Sequence, residues 1–279
     1  MADPAVGSGE LAWSIASPPL LTAAVAPHRV FSAAECAALW QAWQPPSPEP
    51  GLLPHRLGRR FEALWQHWLH AHPRWQLLAN GLQVTQQHQT IGEFDLLVRD
   101  RQNADVEHWE LAVKFYFGDG LLDDPACWWG VSRQDRLDRK LLKLQQQQLC
   151  LAATDAGQSA LQTAGIHVTA TRAVVKGRLF YPLASSRHHA RFAAPGHLRG
   201  TWASAVAWLA WCHEHGDVPV SPYPREQWLQ SPPVVADRQA FTACLQALGN
   251  DAFACFQCAA GRVMAVLPAT WAAVPSREL

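Results

Sequence analysis

Two apolar runs in the chain carry charge at positions where apolar residues are expected. Ile91 to Val98 (IGEFDLLV) and His108 to Tyr116 (HWELAVKFY) alternate with the two-residue period of strands. The polar stretch from Arg99 to Glu107 between them reads as a hairpin loop. In the first run Glu93, Asp95 and Leu97 share a face, and Phe94, Leu96 and Val98 take the other. In the second, Glu110, Ala112, Lys114 and Tyr116 lie opposite Leu111, Val113 and Phe115. Paired, the two runs make a hairpin with carboxylates and one ammonium on one side and core on the other. A solvated face would also be polar, but it would mix Thr, Gln and Lys rather than concentrate acids.

The remaining pattern predicts the elements around this hairpin. LAWSIASPPLL (Leu11 to Leu21) is a short apolar helix stopped by Pro18 and Pro19. Ser32 and Glu35 form a capping-box pattern for a helix ending near Trp43, and Pro45, Pro46, Pro48 and Pro50 then make a stiff linker. Arg56 to His72 places Phe61, Leu64, Trp65, Trp68 and Leu69 at helical spacing, with Glu62 as its only acid. Leu82 and Val84 mark a strand leading into the hairpin. Beyond the hairpin, Gly118 to Gly130 reads as a loop. Ser132 is expected to cap a helix whose apolar stripe is Leu137, Leu141, Leu144 and Cys150 and whose other side is basic. Helices over Ser159 to Ala164, Trp202 to Cys212 and Phe241 to Leu248, with strands over Val168 to Tyr181 and Arg262 to Leu267, complete the reading.

Length and composition narrow the class. A chain of 279 residues, 49% hydrophobic and 16% charged, is globular and long enough to bury a sizeable core. The 23 basic and 23 acidic residues cancel, so any nucleic-acid surface must be local. Such a local surface is suggested after Ala156, where no Asp or Glu occurs before Glu214, while Arg172, Lys176, Arg178, Arg187, Arg191 and Arg199 do. Seven cysteines at irregular spacing do not read as a secreted disulfide framework. With no signal-peptide pattern and no apolar run near ~20 residues, a cytoplasmic protein without a membrane span is expected. Cys255 and Cys258 form a single CxxC with no second pair, so no zinc site is expected.

Carboxylates held together on adjacent strands repel and are costly to bury unless a cation joins them. Mg²⁺ (or Mn²⁺) suits such a set because it prefers carboxylate oxygens and keeps waters for a phosphate. A lysine on the same face can act at the attacking water or on the charge growing at phosphorus. No P-loop, dinucleotide-binding glycine pattern or Gly-x-Ser-x-Gly offers a competing chemistry.

Gly92-Glu93-Phe94-Asp95 on one strand, an acid and Lys on the next, a Glu on the preceding helix and a basic helix afterwards resemble the PD-(D/E)XK nuclease superfamily. Closer still, LAWSIASPPLL, LGRRFEALWQHWL, GEFDLL, HWELAVKFYFG, RQDRLDRKL and KGRLFYP resemble blocks of a bacterial family, the domain of unknown function 1853. The superfamily likeness implies an α/β fold with a restriction-endonuclease-like αβββαβ core. Its central mixed sheet of four strands would be flanked by helices and carry helical N-terminal and C-terminal additions. The implied boundaries are an extension over 1–50, a nuclease core over 51–182 and a second extension over 183–279. It also implies that Asp95 binds metal, that Lys114 is the catalytic lysine and that Glu62 joins the metal shell.

The position two before Lys114, acidic in the superfamily, is Ala112 here. Glu110 lies one alternate position back, about 7 Å along a strand at ~3.3 Å per residue. If Asp95 pairs opposite Glu110, the two can share an ion. If it pairs opposite Ala112, Glu93 or Glu62 must compensate, or the site is degenerate. The expectation is a Mg²⁺-dependent nuclease with Asp95, Glu110, Glu62 and Glu93 at the metal and Lys114 at the scissile phosphate. Arg133, Arg136, Lys140 and Lys176 would meet the nucleic-acid backbone. The alternative is a nuclease-like fold without catalysis that binds nucleic acid or protein.

Overall fold

The computed structural model of the chain describes residues 9–22, 29–45, 53–70, 72–231, 238–248, 252–258 and 261–272. Of the expected proline linker, Pro45 is described and Pro46, Pro48 and Pro50 lie outside these residues. The architecture is mixed α/β around one sheet. Helices α1 (Glu10–Ala16), α2 (Ala33–Ala42) and α3 (Leu57–His70) precede strands β2 (Trp75–Gln86), β3 (Gln89–Asp100) and β4 (Val106–Gly118). The two-residue strand β1 (Arg29–Val30) lies between α1 and α2. After β5 (Trp128–Trp129) come α4 (Leu137–Lys143), α5 (Asp155–Thr163) and β6 (Ala170–Pro182). Strands β7 (Leu198–Ser204), β8 (Pro219–Pro222), β9 (Gln239–Ala240), β10 (Ala254–Cys258) and β11 (Val263–Leu267) follow, with α6 (Ala205–His215) and α7 (Phe241–Ala247) among them.

Among the described residues the sheet has eleven strands rather than the four expected, in the order β2-β3-β4-β6-β7-β11-β10-β8-β9, with β1 on β6 and β5 on β4. Strand β7 pairs in parallel with β6, and β11 in parallel with β7, so the residues after 182 extend the same sheet instead of packing on it. Strand β4 is its spine. It runs antiparallel to β3 and parallel to β6 through eleven partner pairs, Glu107↔Ala170 to Phe117↔Phe180. With both faces covered, β4 is buried along most of its length, its charged residues included.

One face of β4 meets the aromatic helices: Trp65 and Trp68 of α3 pack with Trp109, Leu111 and Leu96. On the opposite face Ala112 and Tyr116 join Leu137, Leu141 and Leu144. Glu107 is no loop residue. It accepts from Arg172 in a buried two-point ion pair at 2.8 and 2.9 Å, and Trp109 Nε1 donates to it at 2.6 Å, tying β4 to β6.

Several elements depart from the expected pattern. The helix after Ser132 begins only at Leu137, because Arg133 takes a left-handed φ of 57° and Trp129 bridges Arg136. Trp202 to Cys212 is not one helix: the stretch to Ser204 is strand β7, and the Ser204 side chain caps α6 by accepting from Ala207 N. Its tryptophans pack and bond inside the fold, with Trp202 Nε1 donating to Gly118 O and Trp208 Nε1 to Ala265 O. The capping box of Ser32 and Glu35 forms as expected.

Gly177 on β6 stands opposite Lys114 with φ +137°, and a Cβ there would collide with the Lys114 backbone. Gly177→Ala is therefore expected to cost about 3 kcal/mol or more in denaturant unfolding. Gly165→Ala, at φ +67° with open space around it, should cost only about 1 kcal/mol.

Candidate active site

The site forms where the β3–β4 ladder ends. Its last partner pair is Leu96↔Trp109, and the same register continued by one step sets Asp95 opposite Glu110. Of the two alternatives open in the sequence, the register points to the one that joins the two acids, although Asp95 itself lies beyond the last partner pair. Beyond Leu96 the strands part, and Asp95 Oδ2 accepts the Leu111 N–H at 2.8 Å. The expected alternation also slips here: Phe94 and Leu97 both enter the cluster with Val84, Leu151 and Leu161, while Leu96 and Val98 face the tryptophans.

Glu110 is buried, 1% exposed. Burial first, and then the neighbouring Asp95 charge, push its pKa up to about 9, and its carboxyl is placed to share a proton with Asp95. Burial raises Asp95 as well, partly offset by the Leu111 N–H. Gln148 donates to Glu110 Oε1, and Lys140 Nζ stands 4.0 Å from the same oxygen while donating to Gln148 Oε1 at 2.8 Å. His108 Nε2 lies 3.7 Å from Oε2, the oxygen that is buried without a hydrogen-bond donor when both acids are ionised.

A cleft of about 400 Å³ opens onto Asp95. Its walls include Arg59 and Glu62 from α3, Glu93 from β3, and Lys143, Gln147 and Gln148 after them. Burial and then the Asp95 charge raise the Glu62 pKa, opposed by Arg59. The structure thus brings Glu62, Glu93 and Asp95 to one cleft, with Glu110 buried beside Asp95 and outside the cleft lining.

It does not gather the basic residues expected at the nucleic-acid backbone. Lys176 is buried, donating to the carbonyls of Ile15 and Ser17 and to Cys36 Sγ, so it cannot meet a backbone. Arg172 and Arg178 are buried too, which makes much of the acid-free segment's charge internal. Arg133 pairs with Asp119 at 2.9 Å and lies against Trp129 and Trp271, and Arg136 pairs with Asp138 at 2.6 Å. Lys140 is inside the acid cluster. Lys114 donates to Asp135 Oδ2 at 2.5 Å, with Tyr116 OH on Oδ1 at 3.2 Å. Cys255 and Cys258 fall in different core clusters.

A family model described as a domain of unknown function, DUF1853, matches residues 9–257. The chain belongs to that family. No curated protein and no solved structure matches it. Among the described residues of this DUF1853 chain, no helix is long and apolar enough to cross a membrane.

Gln148 and His108 had no signal in the sequence. Gln148 reaches Glu110 because Leu144–Gln148 is a π-helical turn, with Leu149 N donating to Leu144 O at 2.9 Å. In a regular α-helix, positions 140 and 148 are about 80° apart around the axis; one extra residue in the turn brings them within roughly 20°.

Among the described residues, no three His, Cys, Asp or Glu side chains converge as a metal-ligand group. The acids nonetheless suit a hard divalent cation. All donors are carboxylate oxygens, two of the acids are forced together, and Glu110 Oε2 has no donor.

The raised Glu110 pKa has a sign. From its ordinary 4.5 to about 9, the folded chain holds a proton that the unfolded chain has released. Its contribution therefore lowers stability as pH rises through that window. Glu110→Gln is expected to flatten this decline, measured as denaturant midpoints at pH 5, 7 and 9; an unchanged slope would contradict the assignment.

Proposed function

We propose that this DUF1853 protein is a Mg²⁺- or Mn²⁺-dependent nuclease, hydrolysing phosphodiesters of nucleic acid at the cleft over Asp95. The observation that carries this is the half-buried Asp95 beside the buried Glu110 at the open end of the β3–β4 ladder. Like-charged carboxyls are rarely buried together without either a shared proton or a cation. The order α3, β2, β3, β4, α4, β6 also supports a restriction-endonuclease-like αβββαβ core within the larger sheet.

In this reading Asp95 and Glu110, with Glu62 or Glu93, would hold the cation. The Leu111 N–H fixes the Asp95 carboxylate, and Gln148 fixes Glu110. Bound there, the cation supplies Lewis-acid polarisation of the phosphate and a more acidic water. Exposed Arg59 and Lys143 at the rim offer cationic partners to the phosphates of an entering strand. A cytoplasmic setting fits the seven cysteines, none of which is in a disulfide.

Purified protein is expected to cut DNA or RNA with Mg²⁺ or Mn²⁺, and Asp95→Ala to lower the rate by about 100-fold or more while unfolding cooperatively like wild type. Calorimetric titration with Mn²⁺ should give heat that vanishes in Asp95→Ala. No cleavage and no Mn²⁺ heat, together with salt-dependent nucleic-acid binding, would replace this reading with a non-catalytic binding module.

A further inference from the structure

The superfamily likeness assigns the lysine of the site to β4, at Lys114. The structure gives that side chain a different task. Lys114 and Tyr116 both hold Asp135. Asp135 in turn belongs to the segment that seats α4, since Gly130 N donates to Asp135 O at 2.8 Å and Trp129 bridges Arg136. Lys114 is thus a strut between β4 and the approach to α4.

The ammonium nearest the acids comes from α4 itself. We propose that Lys140, not Lys114, supplies the ammonium of the Asp95–Glu110 site, a proposal that rests on the nuclease reading for its chemical role but not for its geometry. Three observations converge. Lys140 Nζ stands 4.0 Å from Glu110 Oε1 and interacts attractively with both Glu110 and Asp95. It is held there by Gln148 Oε1 at 2.8 Å, which the π-helical turn brings onto the Lys140 face. The stripe of Leu137, Leu141 and Leu144 shares a core with Ala112, so α4 lies over the position where the superfamily carries an acid. An acid at 112 would be buried under leucines; alanine lets the helix close and carries Lys140 to Glu110.

In hydrolysis, a water oxygen bonds to phosphorus, the P–O ester bond breaks, and the leaving oxygen takes up the proton that the water loses. Negative charge grows meanwhile on the non-bridging oxygens. An ammonium at the Lys140 position stabilises that charge, and a methionine of similar length does not. Burial lowers the Lys140 pKa, opposed by Glu110.

Two measurements on the full chain decide the matter. The first needs no activity: protein labelled with ¹³C-lysine is titrated by NMR, with the Lys140 and Lys114 Cε signals assigned by their loss in Lys140→Met and Lys114→Met. Glu110→Gln is expected to shift the Lys140 titration. A Lys140 titration indifferent to Glu110→Gln overturns the proposal, whether or not the protein is a nuclease. The second is single-turnover cleavage with Mn²⁺. Lys140→Met should lose about 100-fold in rate with Mn²⁺ affinity within about threefold of wild type, and Lys140→Arg should recover part of the loss. Lys114→Met should lose less than tenfold, with a lowered unfolding midpoint. The reverse ranking overturns the proposal while leaving the nuclease reading intact. If wild type cuts nothing, that reading falls and the NMR titration alone decides where the ammonium of the site comes from.

Discussion

A half-buried carboxyl and a fully buried one side by side cannot both ionise cheaply, and the structure around Asp95 and Glu110 follows from that constraint. One acid is anchored by a backbone N–H from Leu111, which favours its charge; the other lies deeper and is driven toward its neutral form. The pair exists because the β3–β4 ladder stops at Leu96↔Trp109. Had the ladder continued, Asp95 would have been one more cross-strand side chain with no cleft before it. Opening the ladder leaves a backbone donor for a carboxylate and room for a ligand in the same step.

The strands are free to part there because β4 is held firmly on its other edge. Eleven partner pairs bind it to β6, with Gly177 giving close backbone approach at Lys114 and Glu107–Arg172 locking the far end. The covering helix is held in turn by Asp135, which Lys114 and Tyr116 clamp from β4. A buried ion pair such as Glu107–Arg172 contributes registry more than net stability, since its desolvation offsets much of its attraction. Registry is what the site requires. A one-residue slip of β4 would turn Glu110 to the face occupied by Trp109.

The hairpin, the amphipathic α3 and the capping box of α2 were legible in the sequence because each rests on local periodicity or a local hydrogen bond. Glu93, Asp95 and Glu110 were legible for the same reason, as charges inside strand patterns. What escaped depends on long-range or unusual backbone geometry. The turn between β2 and β3 uses Gln87 and His88, both with positive φ and neither a typical turn residue, so nothing announced a hairpin there. Lys176 and Arg172 looked like surface charges; only the fold shows that carbonyls, Cys36 and Glu107 enclose them. The π-helical turn left no mark beyond a run of glutamines, yet it decides which glutamine reaches Glu110. Of the second half of the sheet only the strand over Arg262 to Leu267 was legible; β7 was read as part of a helix, and β8, β9 and β10 are short.

Ala112 illustrates why a motif read position by position misjudges this site. In sequence it is a missing acid beside a lysine, which argues for a degenerate nuclease. In the fold it is the contact that lets α4 lie close, with its leucines on Ala112 and its lysine at Glu110. Set against the superfamily pattern, the acid of β4 lies two residues nearer the start of the strand, beside Asp95, and the ammonium nearest the pair is on the helix that the smaller side chain admits. Acid, acid and lysine are all still present, but they are assembled by packing between elements rather than by spacing along one strand. On the proposed nuclease reading, the different spacing is therefore no argument against the chemistry. What matters is whether the charge that Glu110 holds back as a proton can be given to a cation instead.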